Sequence, residues 1–415
     1  GSHRLVHLLE ARGAVVVGKT NMPEFAAGSQ TFNDIYPTTV SPWDTRTTAG
    51  GSSGGAAAAV AACQCWLAHG SDLGGSLRTP AAFCGVVGFR PSPGRVPCTD
   101  YKRSGPSLEG LHIVDGPIAR CVRDAALFLD AMSGNDNWDF EPPPHSSDAS
   151  SWEEEAVNGA QRKNLPMRVG FSTLGCSIAS GVDALIRHAT QRLAEICGGS
   201  VQELPTPWDL ERAERAFMVM RAQDFARYTK MKIERYGMLK PEVRWNAEIG
   251  LKCETLMPMA KEDLVHIQQD VATVFDRVDV LCTPMTLDAA FDASVRYPTE
   301  QNGKHFSTYL DWMMPACLVT PTLCPALSLP CGFLDDGRPV GLQIVAAPGR
   351  DDIVLRTAAA LEAELKLPTA CPIPKPGALP LPQTAGPKSG EAAEAHHRNA
   401  DEAFMRRYAG RRSLL

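Results

Sequence analysis

The chain has 415 residues, 44% of them hydrophobic, and a formal net charge of −6 at pH 7. Its length and hydrophobic content suffice for a large α/β domain, and its charge leaves no basic surface for a nucleic-acid-binding role. No hydrophobic run reaches the ~18 residues of a membrane span, and the 13 scattered cysteines favour reduced thiols and a cytoplasmic location.

The first predicted elements lie before residue 20. Leucines between positions 5 and 9 recur at helical spacing, and Gly13 ends that helix. The β-branched run at 14–17 predicts a short buried strand. Residues 13–20 also match the phosphate-binding pattern G-x-x-x-x-G-K-[ST], which needs a preceding strand and an open loop. Because a helix precedes it here and AVVV favours a strand, we interpret Lys19 as structural.

The middle of the chain alternates between strand and helix patterns. Residues 86–92 predict a strand that runs into a turn, and 118–132 predict a helix that starts after Pro117. The polar stretch at 134–163 predicts a surface excursion. Strands at 167–171 and 201–204 flank a helix at 182–196, which indicates a right-handed crossover and a parallel sheet.

The last third predicts a strand at 278–282 and a hairpin of strands 327–329 and 340–345 around Asp335-Asp336-Gly337. A final core helix follows at 352–365. Beyond it the sequence is rich in proline and then charged, which predicts a peripheral tail. We therefore predict one α/β domain at 4–366 and a C-terminal tail at 367–415.

Two clusters rich in glycine and serine flank a run of very small residues. The first is GGSSGG at 50–55, the second is D-x-GGS-x-R-x-P-A at 72–81, and Ala56 to Ala62 lie between them. Such clusters are usually flexible linkers, but a buried-type helix between two ordered motifs favours a site. Glycine lets other atoms approach the backbone closely, so amides and serine hydroxyls are expected to converge there.

Together with GKTNMPEF at 18–25, these motifs resemble the amidase signature family of serine hydrolases. Ser52 and Ser76 are 24 residues apart (76 − 52), which also fits the family. The resemblance implies a single large twisted mixed sheet, mostly parallel, with helices on both faces. It implies cleavage of the C–N bond of a non-peptide amide, anilide, carbamate (urethane) or urea-like substrate.

The resemblance also implies roles for individual residues. Ser76 would be the nucleophile that carries the acyl group, and Ser52, after a cis peptide bond, would relay a proton. The oxyanion hole would be formed by the backbone amides of Leu73, Gly74, Gly75 and Ser76. Ser53, Asp72 and Arg78 are interpreted as structural residues near the site, although Asp72 and Arg78 could form only a surface ion pair.

The family's general base is a lysine well upstream of the GKTNMPEF stretch, and no lysine precedes Lys19. We therefore expect an N-terminally incomplete domain or an inactive relative. The alternative function is a non-catalytic, assembly or amidotransferase subunit that keeps the fold without the lysine. A Ser-His-Asp hydrolase with His69 or His112 as base is also conceivable, but Gly74–Arg78 lacks the second glycine of G-x-S-x-G.

The expected partner is a small-molecule amide or carbamate, with no cofactor, no nucleic acid and no membrane span. The ten histidines show no ligand spacing, so no metal site is predicted. A homodimer is compatible with the sequence. One apolar group is open to two interpretations, a substrate pocket or simply core: Phe217, Met218, Met220 and Tyr228.

Overall fold

The computed structural model describes residues 4–97, 113–134, 150–163, 165, 168–230, 237–368, 400–401 and 403–408. Within them, eight strands form one sheet in the order β1-β3-β2-β9-β10-β6-β4-β5, and β7 pairs with β8 separately. The strands are β1 Leu67–Asp72, β2 Val87–Arg90, β3 Val114–Ala119, β4 Val169–Phe171, β5 Val201–Glu203, β6 Val280–Pro284, β7 Glu300–Gln301, β8 Lys304–His305, β9 Ala326–Phe333 and β10 Pro339–Val345.

The large sheet is mixed, as predicted, but it is not mostly parallel. Only β4 pairs in parallel, with β5 and with β6, and the other five neighbouring pairs of the described sheet are antiparallel. The prediction extended one strand–helix–strand crossover to the whole sheet. That crossover is present at β4 and β5, whereas strands joined by a hairpin, such as β9 and β10, run antiparallel because a short turn reverses the chain.

Helices cover both faces of this sheet. Their bounds are α1 Arg4–Ala11, α2 Gly54–Ala61, α3 Arg78–Cys84, α4 Val122–Met132, α5 Trp152–Ala160, α6 Ser180–Ile196, α7 Leu210–Ala226, α8 Pro241–Lys252, α9 Met257–Arg277, α10 Met314–Cys317 and α11 Asp351–Leu365. One core cluster joins α4, α6 and α11 to the sheet, and the other joins α7, α8 and α9. Alternate strand residues enter different clusters: Leu281 faces one, and Cys282 the other. No helix in the described ranges is both long and apolar enough to cross a membrane.

The helix predicted at 118–132 begins four residues late. Pro117 and Ile118 belong to β3, which pairs with both β1 and β2, and α4 begins at Val122. A proline before an apolar stripe is typical of a helix start. Here hydrogen bonding to strands on both sides decides the conformation instead, which no local pattern reveals.

The strand predicted at 14–17 is wrong. These residues form no strand, and Val15, Val16 and Val17 are 84%, 56% and 81% exposed. A β-branched run becomes a buried strand only if neighbouring strands pair with it, and none of the described strands does so. Lys19 lies in the same exposed stretch.

The surface excursion predicted at 134–163 is wrong for the part that forms α5. Gly159 packs so closely on α11 that a Cβ atom there would lie 2.1 Å from the carbonyl oxygen of Arg356. The buried carboxylate of Glu155 pairs with the Arg356 guanidinium at 2.6 Å. This polar stretch thus contains one helix that belongs to the core. Residues 135–149 lie outside the described part of the chain.

The tail predicted to be peripheral also contributes to the core. Residues 369–399 lie outside the described part, but Ala400, Phe404 and Tyr408 are buried in the cluster that contains α7 and α8. The Phe404 ring meets Trp245 edge-on at a centroid distance of 6.1 Å. The Tyr408 hydroxyl donates to Glu214 at 2.7 Å. Residues 400–401 and 403–408 are therefore part of the folded body.

Glu362 on α11 gives the fold a testable pH dependence. Burial raises the pKa of its carboxyl to about 7, against the opposing hydrogen bond from the Val122 amide at the start of α4. Between pH 4.5 and 7 the folded chain then binds more protons than the unfolded chain, so its free energy of unfolding falls as the pH rises. We expect Glu362→Gln to remove this pH-dependent fall in the free energy of unfolding, measured by urea titration at several pH values. Glu254→Gln, which changes an exposed carboxyl, should leave it in place; an unchanged decline in Glu362→Gln would contradict the assignment.

Candidate active site

The loop that carries Ser76 is built around the buried carboxylate of Asp72, at the end of β1. This carboxylate accepts the backbone amides of Gly75 at 3.0 Å and Leu77 at 3.2 Å. It also accepts two hydrogen bonds from the Arg78 guanidinium, at 2.8 and 2.9 Å, while Arg90 donates to the Asp72 carbonyl at 2.6 Å. One side chain thereby fixes the backbone on both sides of Ser76.

The Asp72–Arg78 pair is a structural ion pair, as favoured by the sequence, and not a surface pair. Both side chains are 0% exposed. Burial raises the pKa of Asp72, but the charge and hydrogen bonds of Arg78, with the charge of Arg90, outweigh it and bring the pKa to about 2. The carboxylate therefore stays ionised at neutral pH, and it acts as a fixed anchor for the loop.

Glycine is required at position 75, and position 74 leaves little room for a side chain. Gly75 has φ +94°, and a Cβ atom there would lie 2.5 Å from that of Ala316. A Cβ atom at Gly74 would lie 3.1 Å from the Phe217 ring and 3.5 Å from the Cys317 sulfur. Side chains at either position would displace the neighbouring α7 or α10, so the close approach of these helices depends on the two glycines.

The amides predicted to form an oxyanion hole differ in their availability. The Gly75 amide donates to Asp72, whereas those of Leu73, Gly74 and Ser76 donate no hydrogen bond within the described structure. The Leu73 carbonyl accepts the hydroxyl of Thr320, which holds the start of the loop. Three of the four amides thus have no acceptor among the described residues, and their role as an oxyanion hole stays a prediction.

The second serine cluster lies against the first. The Ser53 amide donates to the Ser76 carbonyl at 3.2 Å, which joins the two motifs directly. The Gly51–Ser52 peptide bond is cis, as predicted. The Gly51 carbonyl accepts the Ser29 hydroxyl at 2.9 Å, so the segment after GKTNMPEF supports this turn.

The two candidate catalytic serines lie on the two loops that the Ser53–Ser76 hydrogen bond joins, but their hydroxyls are not hydrogen-bonded to each other among the described contacts. Ser52 is buried and Ser76 is partly exposed. No lysine amine is hydrogen-bonded to Ser52 within the described residues. The relay from Ser76 through Ser52 to a base therefore stays a prediction.

Sequence reasoning missed a buried amine near these motifs, that of Lys240. Its Nζ donates to the Ala27 carbonyl at 2.5 Å and lies 4.8 Å from the centre of the Phe32 ring. Burial lowers the pKa of this amine to about 8. A cavity of about 230 Å³ opens beside it, lined by Glu24, Phe32, Asn33, Asp34, Tyr36, Pro37, Thr38, Lys240 and Arg296. A lysine before a helix gives no sequence signal for such burial.

The apolar group of Phe217, Met218, Met220 and Tyr228 belongs mainly to the core. Met218 and Met220 are buried in the core cluster that contains α7, and Tyr228 packs on Phe25 with ring centres 4.6 Å apart. Phe217 contacts the Gly74 position of the Ser76 loop. Of the two histidines weighed as bases, His112 lies outside the described residues.

His69 lies on β1 and pairs with Asp115 on β3, with 3.1 Å between Nε2 and a carboxylate oxygen. The carboxylate that pairs with this imidazole thus lies on the neighbouring strand. Among the described residues, no three histidine, cysteine, aspartate or glutamate side chains cluster as metal ligands would.

Comparisons with known sequences agree with these motifs. A family model described as Amidase matches residues 2–355. The chain is 34% identical over 397 residues to the A-subunit of the glutamyl-tRNA(Gln) amidotransferase of Acaryochloris marina, a match that covers 88% of this chain and 78% of the relative. The equivalent protein of Moorella thermoacetica is 34% identical over 384 residues, with coverages of 86% and 75%.

Solved structures extend the similarity to the fold. A bacterial aryl acylamidase of the amidase signature enzymes family superimposes with a TM-score of 0.74 at 26% identity, covering 86% of this chain and 74% of the other. For 6-aminohexanoate cyclic dimer hydrolase the TM-score is 0.70 at 28% identity, with coverages of 88% and 77%. Since the family model spans most of the sequence and the motif loops adopt a defined geometry, the chain belongs to the amidase signature family.

Proposed function

We propose that this chain cleaves the C–N bond of a small-molecule amide, anilide or carbamate, urethanes included, through an acyl-enzyme on Ser76. The observation that carries the proposal is a partly exposed Ser76 on a loop fixed by Asp72. On this loop the amides of Leu73, Gly74 and Ser76 donate no hydrogen bond within the described structure. Acyl transfer needs an accessible nucleophile and donors aimed at the oxyanion. No cofactor enters this chemistry.

In the proposed reaction, the Ser76 oxygen attacks the amide carbonyl while its proton passes through the Ser52 hydroxyl to a general base, the role that the family gives to a lysine. The amides of Leu73, Gly74 and Ser76 stabilise the oxyanion, and Ser52 returns the proton to the leaving nitrogen. For the Gly75 amide to join them, it must share its hydrogen between the oxyanion and Asp72. Water then releases the acid from Ser76.

A second candidate function is that of an amidotransferase subunit. The supporting observation is that relatives at 34% identity carry that name, whereas the solved amidases are 26–28% identical. In that case the chain would act with partner chains and would cleave the side-chain amide of glutamine. The two candidates share Ser76 and differ in the substrate.

Three further parts of the proposal concern the setting of the enzyme. The cysteines of the described residues are free thiols, which supports a cytoplasmic location. A homodimer and a domain limit near residue 366 are proposed from the sequence, although Ala400, Phe404 and Tyr408 pack on the domain.

An acyl-transfer assay tests the proposed function. We expect the purified chain to release nitroaniline from short-chain acyl p-nitroanilides and, with hydroxylamine present, to form the acyl hydroxamate. Hydroxamate shows that an acyl-enzyme is intercepted by an external nucleophile. If glutamine releases ammonia while anilides stay intact, the amidotransferase function is favoured; if neither amide is cleaved and no hydroxamate forms, the proposed hydrolase function is wrong.

A further inference from the structure

Arg221 on α7 lies one helical turn beyond the residue that contacts the Ser76 loop. Phe217 and Arg221 are four residues apart, so they share a face of the helix. The Phe217 ring contacts the Gly74 position, and four residues of helix advance about 6 Å. Arg221 therefore lies on the face of α7 that contacts the candidate oxyanion loop.

The Arg221 guanidinium is buried without a counterion. It is 6% exposed and donates to the Asn246 carbonyl oxygen and, at 2.7 Å, to the Tyr309 hydroxyl. It also stacks over the Phe225 ring, 4.6 Å from its centre. All these partners are neutral, and no carboxylate of the described residues lies within 4 Å of it. Two of its five N–H groups are used.

The other buried arginines of the described structure are paired differently. Arg78 and Arg90 contact Asp72, Arg95 contacts Asp351, and Arg356 contacts Glu155. Glu242 at the start of α8 is held by Arg296, and Glu214 on α7 is held by Arg407. Because a buried charge is costly unless it is paired, this exception points to a counterion supplied from outside.

We propose that Arg221 binds a carboxylate carried by the acyl half of the substrate, while Ser76 attacks the amide at its other end. A carboxylate fits the remaining N–H groups because the planar guanidinium can offer it two parallel hydrogen bonds. Four residues of α7, about 6 Å of helix, separate Arg221 from the residue that contacts Gly74, so we take the substrate to be a short dicarboxylic monoamide. This inference rests on the proposed function for the position of the amide, but the binding of the carboxylate does not require turnover.

The binding test uses glutarate as the probe and isothermal titration as the readout. Glutarate should bind the parent chain, and neutral pentanamide should bind far more weakly. Arg221→Gln should weaken glutarate binding by about 10- to 150-fold, the usual range for hydrogen bonds to a charged group. Arg212→Gln is the matched control, since it removes a partly exposed guanidinium of the same helix that pairs with Asp209, and it should leave glutarate binding unchanged.

A second variant and an activity readout keep the test decisive if Arg221→Gln is poorly folded. Arg221→Lys retains the charge but loses the paired geometry, and it should bind glutarate less tightly than the parent. In turnover, the parent should prefer glutaric acid mono-p-nitroanilide over hexanoic p-nitroanilide in kcat/KM, and Arg221→Lys should reduce that preference. Equal binding of glutarate and pentanamide by the parent would overturn the inference, whatever the assay of Ser76 shows. Glutarate binding without anilide turnover would support Arg221 and count against the hydrolase.

Discussion

Replacing Ser76 with alanine is expected to reduce anilide turnover to the uncatalysed background. No other hydroxyl lies on the loop formed by Asp72 and the two glycines, so no other group can take the acyl chain in the same place. The same change should abolish covalent labelling by a fluorophosphonate, measured by mass spectrometry of the intact chain and of the peptide that carries residue 76. The fold should persist, because the substitution removes one small polar atom from a partly exposed side chain.

Two neighbouring serines serve as controls for this result. Ser52→Ala should keep some turnover, with a loss of about 10²–10⁴-fold, because a proton relay contributes that much and forms no bond to the acyl group. Ser53→Ala should retain most of the activity, since its hydroxyl makes only a long contact of 3.5 Å with the Ser71 carbonyl. A Ser76→Ala chain that still turns over anilide at the parent rate would move the nucleophile elsewhere.

Asp72→Asn is expected to have the largest effect on stability. The substitution leaves Arg78 and Arg90 buried without their shared counterion, and breaking such a pair typically costs about 3–5 kcal/mol. It also replaces one acceptor of the Gly75 and Leu77 amides by an NH₂ group, so the loop should lose its shape. Urea unfolding at pH 7 measures the first effect, and fluorophosphonate labelling of Ser76 measures the second.

The pH dependence of this stability loss tests whether the Asp72 carboxylate causes it. Because the pKa of Asp72 is lowered from 3.8 to about 2, its ionisation contributes stability above pH 3.8, which is lost as the pH falls through 2. The difference in free energy of unfolding between the parent and Asp72→Asn should therefore shrink as the pH falls from 3.8 towards 2. Asp183→Asn removes a partly exposed carboxylate that pairs with Arg187 and should change stability little. An Asp72→Asn chain as stable as this control would refute the anchoring role.

Local sequence patterns predicted those elements whose conformation is decided locally. The helix at 182–196 has a continuous apolar stripe, and the hairpin around Gly337 has a turn that reverses the chain; both are present. The predictions failed where distant segments decide. Residues 117–118 join a strand because β1 and β2 lie on either side, and 14–17 stay exposed because no described strand covers them.

The same distinction holds at the candidate site. Ser52, Ser76 and Asp72 could be found because the motif keeps them close in sequence. Arg221 and Lys240 could not, because their burial depends on contacts with residues such as Tyr309 and Ala27, which lie far along the chain. Nothing in the composition of α7 distinguishes a guanidinium that faces neutral partners from one that pairs with a carboxylate.

The packing of Phe404 and Tyr408 has a practical consequence for the handling of this protein. A chain shortened after residue 366, the natural choice for a crystallographer trimming a proline-rich end, would uncover the indole of Trp245 and remove the ring of Phe404 that meets it edge-on. It would also leave Glu214 without the hydroxyl of Tyr408. Since α7 carries both Glu214 and the residues next to the Ser76 loop, trimming would weaken the packing of α7 against that loop. Affinity tags are better placed after the last residue than in place of this segment.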